Sequence, residues 1–377
     1  MTDRERLDLR AVLTDPKIRV VVICGSGGVG KTTTAAAMAL FAADEGRKVA
    51  VLTIDPARRL AQSLGLLELN NSPRPVDIRN PPAGPEPAGP AGELWAMMLD
   101  TTSTFDEMVT SNTNPDHAAK ILDNPFYKTI STSFAGTQEY MAMEKLSQLA
   151  STDEFDLIVV DTPPSRSALD FLDAPQRLSS FLDGRMIRLL ATPGRGVMRI
   201  VGTGFQIFTK AVTSVIGGQM LADAARFVQL FEGMFGGFRE RAQVTYDLLR
   251  SSRTAFVVVA VPEADSLREA SYFADRLRTE RMPLAGLVLN RTHPPVAELS
   301  LSATQSAVAD LAGSAPLAAA ALSVHADRLI VRDQERRMRA RLDRAHPDLP
   351  VVEVPALPFD AHDLPALRAI AHRLTAG

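Results

Sequence analysis

The residues best suited to chemistry form one short run near the amino terminus of the chain. Gly25 to Thr32 reads Gly-Ser-Gly-Gly-Val-Gly-Lys-Thr and fits the phosphate-binding pattern G-x-x-x-x-G-K-[ST]. Glycines in such a loop let backbone N–H groups turn toward phosphate oxygens, the Lys31 ammonium reaches the β- and γ-phosphates, and the Thr32 hydroxyl ligates Mg²⁺. A chance glycine turn is the alternative, but the run lies between a predicted strand and a predicted helix. The residues predicted to bind nucleotide in this segment are Ser26, Gly27, Gly28, Val29, Gly30, Lys31, Thr32 and Thr33.

Asp161 is a candidate for the magnesium site because it directly follows the apolar run Leu157–Val160. Parallel sheets bind ligands at the carboxyl ends of their strands, so this carboxylate is expected at the same edge as the glycine-rich loop. A carboxylate there can accept hydrogen bonds from metal-bound water, which suits an ion that dehydrates reluctantly. A helix-capping role is the alternative.

Asp55 follows another apolar run, Val49–Ile54, and is expected at the same edge. Phosphoryl transfer demands mainly positioning and charge stabilisation, so one carboxylate that orients the attacking water is a sufficient catalytic group. We predict catalytic roles for Asp55 and Lys31. The pair Asp55-Pro56 also fits a simple turn, and the residues alone leave both interpretations open.

Seven short apolar runs predict the strands that position these residues. Such runs are typical of parallel strands covered on both faces, with helices in the segments between them. We therefore predict an α/β fold, a doubly wound and mostly parallel sheet of the P-loop NTPase type with a helical insert. Gly46 would end the helix that starts at the glycine-rich loop, and Ser266 with Glu269 has the spacing of a capping box. The predicted strands are Arg19–Cys24, Val49–Ile54, Leu94–Leu99, Leu157–Val160, Phe256–Val261, Gly286–Leu289 and Val351–Val354.

The composition divides the chain into three parts. Residues 1–177 are predicted to form the first part of a nucleotide-binding core, 178–250 a helical insert, and 251–377 the second part of the core. Within the first part, repeated proline with glycine and alanine in residues 72–92 predicts an extended, mobile loop.

The predicted insert is rich in apolar residues. Its segment Val197–Ile216 approaches membrane-spanning length, but Arg199, Gln206 and Lys210 argue against an integral membrane segment. Flexible methionines and phenylalanines there could line a groove for a hydrophobic client helix. Helices simply packed on the sheet are the alternative. The methionines are Met186, Met198, Met220 and Met234.

Charge and cysteine content narrow the function classes. The 377 residues carry a formal net charge of −3 and one cysteine, Cys24. This charge balance gives no broad electrostatic surface for nucleic acid, and the basic run Arg336 to Arg344 is expected to be a solvated helix face. The polar start Met1 to Arg10 lacks the apolar stretch of a signal peptide, so a cytoplasmic protein is expected.

Three segments, taken in order, resemble the motifs of one family, the ArsA-type ATPases, which includes the factors that target tail-anchored membrane proteins. The resemblance covers most of the chain outside the proline-rich loop. It implies that Asp55 is the water-orienting residue of switch I and that Asp161 opens switch II. The segments are Gly25 to Thr33, Thr53 to Ala57, and Asp161 to Pro164 followed by Phe171, Leu172 and Pro175.

The resemblance also implies roles for residues far from the glycine-rich loop. Glu263 and Asn290 are expected to bind the nucleotide, as is a second loop around Pro355 and Pro358. Gly136 and Glu139 also fall where the family has motif positions, without a role that the resemblance specifies.

The base of the nucleotide can be argued partly from the residues themselves. A guanine-specific site would usually supply Asn-Lys-x-Asp after a late strand, and the sequence lacks it, so ATP is favoured over GTP. Asn290 follows the predicted strand Gly286–Leu289, and its amide can both donate to and accept from adenine. Asparagine is also an ordinary turn residue at a strand end.

Ser26 departs from the family, whose glycine-rich loop carries at this position a lysine that reaches the nucleotide of the neighbouring subunit. In this respect the chain resembles an actinobacterial-like branch of the family that lacks the lysine. A homodimer would lack the cation in both sites and with it a charge that stabilises the transition state. We therefore prefer a heterodimer with a related ATPase subunit that retains the lysine, and keep the homodimer as the alternative.

Two further departures concern thiolates and switch II. An interfacial zinc site or an iron–sulfur cluster needs several thiolates, so Cys24 alone predicts neither and is expected to be a small buried hydrophobe. Ser167 stands where switch II of the family often has histidine, so the coupling of this loop to the nucleotide can differ.

The sequence leaves more than one function open. The first is a magnesium-dependent ATPase that couples ATP binding and hydrolysis to a change in dimer conformation, for handling or targeting a hydrophobic or membrane-linked client. The second is a nucleotide-sensing scaffold subunit with little turnover, which Ser26 favours unless a partner supplies the lysine. A partition-type ATPase would need a basic DNA-binding patch or a terminal amphipathic helix, and the pattern in Leu364–Leu374 is too modest to predict one.

Overall fold

The central element of the computed structural model is one eight-stranded sheet with the order β3-β4-β2-β5-β1-β6-β7-β8. Every described pairing from β2 across to β8 is parallel, and β3 pairs antiparallel with β4 at one edge. The structure describes residues 6–55, 59–79, 92–133, 137–163, 223, 226–227, 229–230, 235–294 and 296–376. The strands are β1 Val20–Cys24, β2 Lys48–Thr53, β3 Arg74–Val76, β4 Glu93–Met98, β5 Leu157–Asp161, β6 Thr254–Ala260, β7 Leu284–Thr292 and β8 Val351–Pro355.

All seven predicted strands are present, and the predicted α/β fold with a mostly parallel sheet is confirmed. The strands β1, β5 and β6 are buried along their whole length, as expected for strands with helices on both faces. The prediction missed β3, which lies in the segment expected to be an extended loop. Pro75 has no backbone N–H to donate, and an edge strand tolerates this because one of its sides is unpaired. Residues 80–91 of the proline-rich segment lie outside the described residues.

Several of the helices in the chain segments between these strands pack on the sheet. Helix α2 (Lys31–Asp44) starts at the glycine-rich loop. Its alanine run is buried between the sheet and α12 (Leu364–Thr375), because small side chains allow a close approach. It ends at Asp44, two residues before Gly46, as predicted. The described helices are α1 Leu9–Thr14, α2 Lys31–Asp44, α3 Arg59–Ser63, α4 Thr101–Ser111, α5 Pro115–Leu122, α6 Pro125–Ser133, α7 Thr137–Ser151, α8 Phe235–Arg250, α9 Ala264–Thr279, α10 Leu301–Leu311, α11 Pro316–Ala345 and α12 Leu364–Thr375.

The capping-box prediction at Ser266 is wrong, because α9 begins at Ala264 with Glu263 in the N-cap position. Ser266 lies within the first turn, where its Oγ accepts a hydrogen bond from the backbone N–H of Val261 at 3.0 Å. The hydroxyl therefore ties the start of α9 to the end of β6. The basic run Arg336 to Arg344 does lie on a helix, α11, as predicted.

The chain divides into two compact units. The first comprises Met1–Met97, Glu154–Ala168 and Leu249–Gly377, and it contains the sheet except for the last residue of β4. The second comprises Met98–Asp153 and Leu169–Leu248. Of the predicted insert, most of residues 178–234 lie outside the described part of the chain, as does the segment Val197–Ile216. Among the helices that the structure does describe, none has the combination of length and apolar character needed to cross a membrane.

The described part of the second unit is helical and contains ion pairs in which one partner is buried. Arg241 on α8 donates to both carboxylate oxygens of Glu144 on α7 at 3.1 Å. Lys145, also on α7 and buried, donates to Glu107 on α4 at 2.6 Å. These paired charges lie on three different helices, so they fix which faces of those helices meet.

Candidate nucleotide-binding site

The glycine-rich loop connects β1 to α2 at the carboxyl edge of the sheet. Gly25 has φ +146°, and a Cβ atom there would lie 2.1 Å from the carbonyl oxygen of Val259. Gly30, with φ +95°, occupies the N-cap of α2, and a Cβ atom there would lie 2.5 Å from Nδ2 of Asn290. Both positions exclude any larger residue. The loop therefore lies against β6 and β7 with its backbone N–H groups near the start of α2, the arrangement that binds phosphate.

Lys31 is buried, and its Nζ donates a hydrogen bond of 2.9 Å to the carbonyl oxygen of Ser26 in the same loop. Burial lowers the pKa of the Lys31 ammonium, while the neighbouring carboxylates of Asp161 and Asp55 raise it. A buried cation whose one hydrogen bond among the described residues goes to a carbonyl group is suited to an anionic ligand. The geometry thus agrees with a phosphate contact at Lys31.

Asp161 ends β5 and is fully buried. Its Oδ2 accepts hydrogen bonds from the hydroxyl groups of Thr32, at 2.7 Å, and Thr53, at 3.0 Å. Its Oδ1 is also buried and has no hydrogen-bond partner among the described residues. A buried carboxylate oxygen without a partner is costly, so this one fits a cation or its water ligands.

The donor set suits Mg²⁺ because this ion takes oxygen ligands, keeps several waters and needs few protein carboxylates. Thr32 and Asp161, which were predicted for this role, are in direct contact. No cluster of three or more histidine, cysteine, aspartate or glutamate side chains occurs in the described part of the chain. A magnesium ion here would therefore be held by Thr32, Asp161 and oxygens of the bound nucleotide.

Burial raises the pKa of Asp161 from 3.8 to about 6, although the hydrogen bonds from Thr32 and Thr53 and the charge of Lys31 oppose the shift. Because the folded protein holds this proton more tightly than the unfolded chain, the contribution of Asp161 to the free energy of unfolding should fall as the pH rises from about 4 to 6. Above that range the folded protein carries a charged, buried carboxylate.

Asp161→Asn should therefore raise the free energy of unfolding by about 1–3 kcal/mol at pH 7 in the absence of metal and nucleotide. The gain should disappear near pH 4, where the native side chain is also neutral. Urea denaturation at both pH values measures this, with the exposed Asp348→Asn as the control. A variant that loses stability equally at both values would show that burial of the Asp161 charge does not limit the stability of the apoprotein.

Asp55 follows β2, and its backbone N–H donates to Thr53 Oγ1 at 3.2 Å. The same hydroxyl reaches Asp161, so one threonine connects the two candidate acidic residues. The Asp55 carboxylate is near enough to contribute to the raised pKa of Asp161. Sequence reasoning did not assign Thr53 a role, although Thr53 lies near the end of a predicted strand and opens the second of the three segments that resemble the family.

Asn290, near the end of β7, is tied to the glycine-rich loop. Its Nδ2 donates to the carbonyl oxygen of Val29 at 2.8 Å, and its Oδ1 accepts from the backbone N–H of Arg291 at 2.9 Å. A carboxamide has two N–H donors and two acceptor lone pairs, so these bonds leave capacity for a ligand. The predicted contact with adenine stays a prediction.

A cavity of about 230 Å³ opens beside the start of α2. Gly30, Thr33 and Asn290 line it together with Pro355, the last residue of β8, and Phe359, from the loop that follows. Four of these five residues belong to segments predicted to bind the phosphates or the base. The structure therefore brings the two predicted loops together around one space.

Other predicted residues are not part of this cavity. Glu263 is exposed at the N-cap of α9, where its backbone N–H donates to the carbonyl oxygen of Val261 at 2.7 Å. Glu139 belongs to α7 in the second unit. The positions Pro56, Gly136 and Ser167 lie outside the described residues.

Comparison with known proteins identifies the family of the chain. A family model described as anion-transporting ATPase matches residues 18–299. The chain is 26% identical to ATPase GET3 of Malassezia globosa over 289 residues, which are 77% of each protein. It is 24% identical to ATPase ASNA1 homolog 2 of Paramecium tetraurelia over 290 residues, 75% of this chain and 78% of the relative. It is also 24% identical to ATPase get3 of Aspergillus terreus over 286 residues, 75% of this chain and 76% of the relative. The chain therefore belongs to the anion-transporting, ArsA-type ATPase family and is an ATPase.

Proposed function

We propose that the chain hydrolyses Mg-ATP at the glycine-rich loop and couples the nucleotide cycle to a change in dimer conformation that serves a hydrophobic or membrane-linked client. The observation that carries the proposal is the grouping of Lys31, Thr32, Asp55 and Asp161 at the carboxyl ends of β1, β2 and β5. These are the residue types that phosphoryl transfer requires, and they lie where a parallel sheet binds ligands.

Each residue has one proposed task. Backbone N–H groups of the loop and the Lys31 ammonium hold the phosphate oxygens and balance their charge. Thr32 and Asp161 hold Mg²⁺, which when bound supplies further positive charge at the phosphates. Asp55 accepts a hydrogen bond from the attacking water and so holds its oxygen toward the terminal phosphate. Catalysis then depends mainly on positioning and charge.

The base is proposed to occupy the cavity between Asn290 and Pro355. The Asn290 amide offers both a donor and an acceptor, which matches the hydrogen-bonding edge of adenine. Its bond to Val29 connects the base side of the site to the loop that holds the phosphates. The exposed Glu263 is proposed to contact the nucleotide from the end of β6, with the resemblance to the family as its support.

Ser26 is the feature that limits turnover in this proposal. Its Oγ shares a hydrogen bond of 3.1 Å with Oγ of Ser266, the residue that binds the backbone N–H of Val261. A serine held in this way offers a neighbouring subunit no cation. We propose that the working form is a heterodimer in which a related subunit provides the lysine, with a homodimer of low turnover as the alternative.

Ser26→Lys should therefore raise the rate of ATP hydrolysis by the chain alone at least about 10-fold, because each subunit of a homodimer would then offer a cation to its partner. Steady-state phosphate release by the purified variant measures this. Ser26→Ala, which removes the hydroxyl without adding charge, should leave the rate nearly unchanged. A wild-type chain that already turns over as fast as Ser26→Lys would rule out the need for a lysine-bearing partner.

A nucleotide-sensing scaffold subunit is the second candidate function, and Ser26 is the observation that favours it. A scaffold would bind Mg-ATP through the same loop and hydrolyse it slowly both alone and with its partner. The proposed client groove at residues 178–237 rests on the sequence and on the resemblance to the family, because most of this segment lies outside the described residues.

A further inference from the structure

Arg291 is a strained residue next to the candidate site. The parallel pairing of β7 with β8 shifts register between Asn290 and Thr292, so Arg291 is the extra residue of a bulge. Its φ is +56°, in the left-handed region that residues other than glycine rarely adopt. Bulges and left-handed residues of this kind are concentrated beside functional sites, where they redirect a side chain.

The bulge is held in place by the glycine-rich loop. The backbone N–H of Arg291 donates to Oδ1 of Asn290, while Nδ2 of the same amide donates to Val29. One carboxamide thus connects the strained residue to the phosphate-binding segment. A conformation that costs free energy persists when its surroundings fix it, as they do here.

The Arg291 side chain lines the cavity beside α2 and is exposed. The side chain makes no hydrogen bond or ion pair with any described residue of the chain. Phe359, 47% exposed, lines the same cavity from the loop after β8. At about 230 Å³ the cavity is smaller than the range of about 300–1,000 Å³ usual for pockets that enclose a whole ligand, so it suits one part of a nucleotide.

We propose that Arg291 binds the base of the nucleotide, with its planar guanidinium group against the ring, and that the bulge conformation places it there. The guanidinium plane stacks on aromatic rings and is only weakly hydrated, so it suits an exposed, half-open cavity. The inference rests on the proposed function, because it requires a nucleotide whose phosphates occupy the adjacent loop. It adds a base-binding residue that sequence reasoning did not single out.

Arg291→Gly is the sharpest test, because glycine keeps the left-handed backbone and removes only the side chain. The chain offers a matched control in Arg281, another exposed arginine with φ +56° that is not part of the cavity. The two probes are ATP and inorganic tripolyphosphate, each with Mg²⁺ present. Calorimetry measures the affinity of Arg291→Gly, Arg281→Gly and the wild type for each probe. The melting temperature of each protein without ligand shows whether it folds.

Arg291→Gly should bind ATP about 3- to 30-fold more weakly than the wild type and bind tripolyphosphate equally well. Arg281→Gly should bind both probes as the wild type does, and both variants should melt at or above the wild-type temperature. Unchanged ATP affinity in Arg291→Gly would overturn the inference, and so would an equal loss for both probes, which would indicate a phosphate contact. A wild-type chain that binds neither probe would instead contradict the proposed function.

Discussion

Asp55→Asn should reduce the rate of ATP hydrolysis at least about 100-fold. A carboxylate that accepts a hydrogen bond from the attacking water and orients it typically increases the rate by about this factor. Affinity for Mg-ATP should stay within about threefold of the wild type, because the proposed phosphate contacts of the loop and of Lys31 are the same in both proteins. The asparagine keeps the size of the side chain and the backbone hydrogen bond to Thr53. The effect should therefore appear in kcat and not in binding.

Single-turnover hydrolysis and equilibrium binding of ATP, measured on the same preparation, check this prediction. Asp348→Asn is a matched control, because Asp348 is exposed and precedes β8, at the opposite edge of the sheet from the site. Equal loss of binding and hydrolysis in Asp55→Asn would mean that Asp55 organises the site and does not act on the water. Full activity in the variant would remove Asp55 from the mechanism.

Lys31→Met should weaken the binding of ATP at least about 100-fold, because a charge-assisted contact to phosphate in a buried site is lost. The same variant should unfold at a higher temperature than the wild type when no nucleotide is present. Burial lowers the pKa of Lys31, so the folded protein disfavours the charged ammonium at pH 7, and a methionine of similar length removes that cost. The apoprotein thus loses stability to keep a cation ready for phosphate.

Calorimetric titration with Mg-ATP and thermal unfolding at pH 7 measure the two effects of Lys31→Met. Lys17→Met serves as the control, since Lys17 is exposed before β1 and should change neither quantity. Lower thermal stability in Lys31→Met together with normal ATP affinity would contradict both the phosphate contact and the cost of burying the ammonium.

The sheet and the phosphate-binding loop could be predicted because each leaves a local signal in the sequence. Buried parallel strands require apolar runs, and β1, β5 and β6 show them without interruption. The edge strand β3 leaves no such signal, because three residues that include Pro75 resemble a loop. Its pairing with β4 depends on the fold and not on its own composition.

The interactions inside the site were less accessible to sequence reasoning because they join distant segments. Thr53 meets Asp161 across 108 positions, and Asn290 meets Val29 across 261. The bulge at Arg291 arises from the pairing of β7 with β8, and no local composition marks it. Sequence reasoning could identify the ends of strands as candidate positions, but only the packing shows which of their side chains meet.

Ser26 shows a different limit. The sequence identifies it as a departure from the family, and the structure shows its hydroxyl bound to Ser266. Under the proposed function, the missing cation comes from a partner subunit. Activity measured with a partner present is therefore as informative as activity of the chain alone.

Release of phosphate from ATP by the purified wild-type chain, with and without Mg²⁺ and with any ATPase subunit that co-purifies, tests the central claim most directly. We expect magnesium-dependent release that Asp55→Asn abolishes, at a low rate for the chain alone and at a higher rate with a lysine-bearing partner. If the chain binds ATP but does not hydrolyse it, either alone or with the partner, the catalytic role of Asp55 is contradicted and the scaffold function is supported.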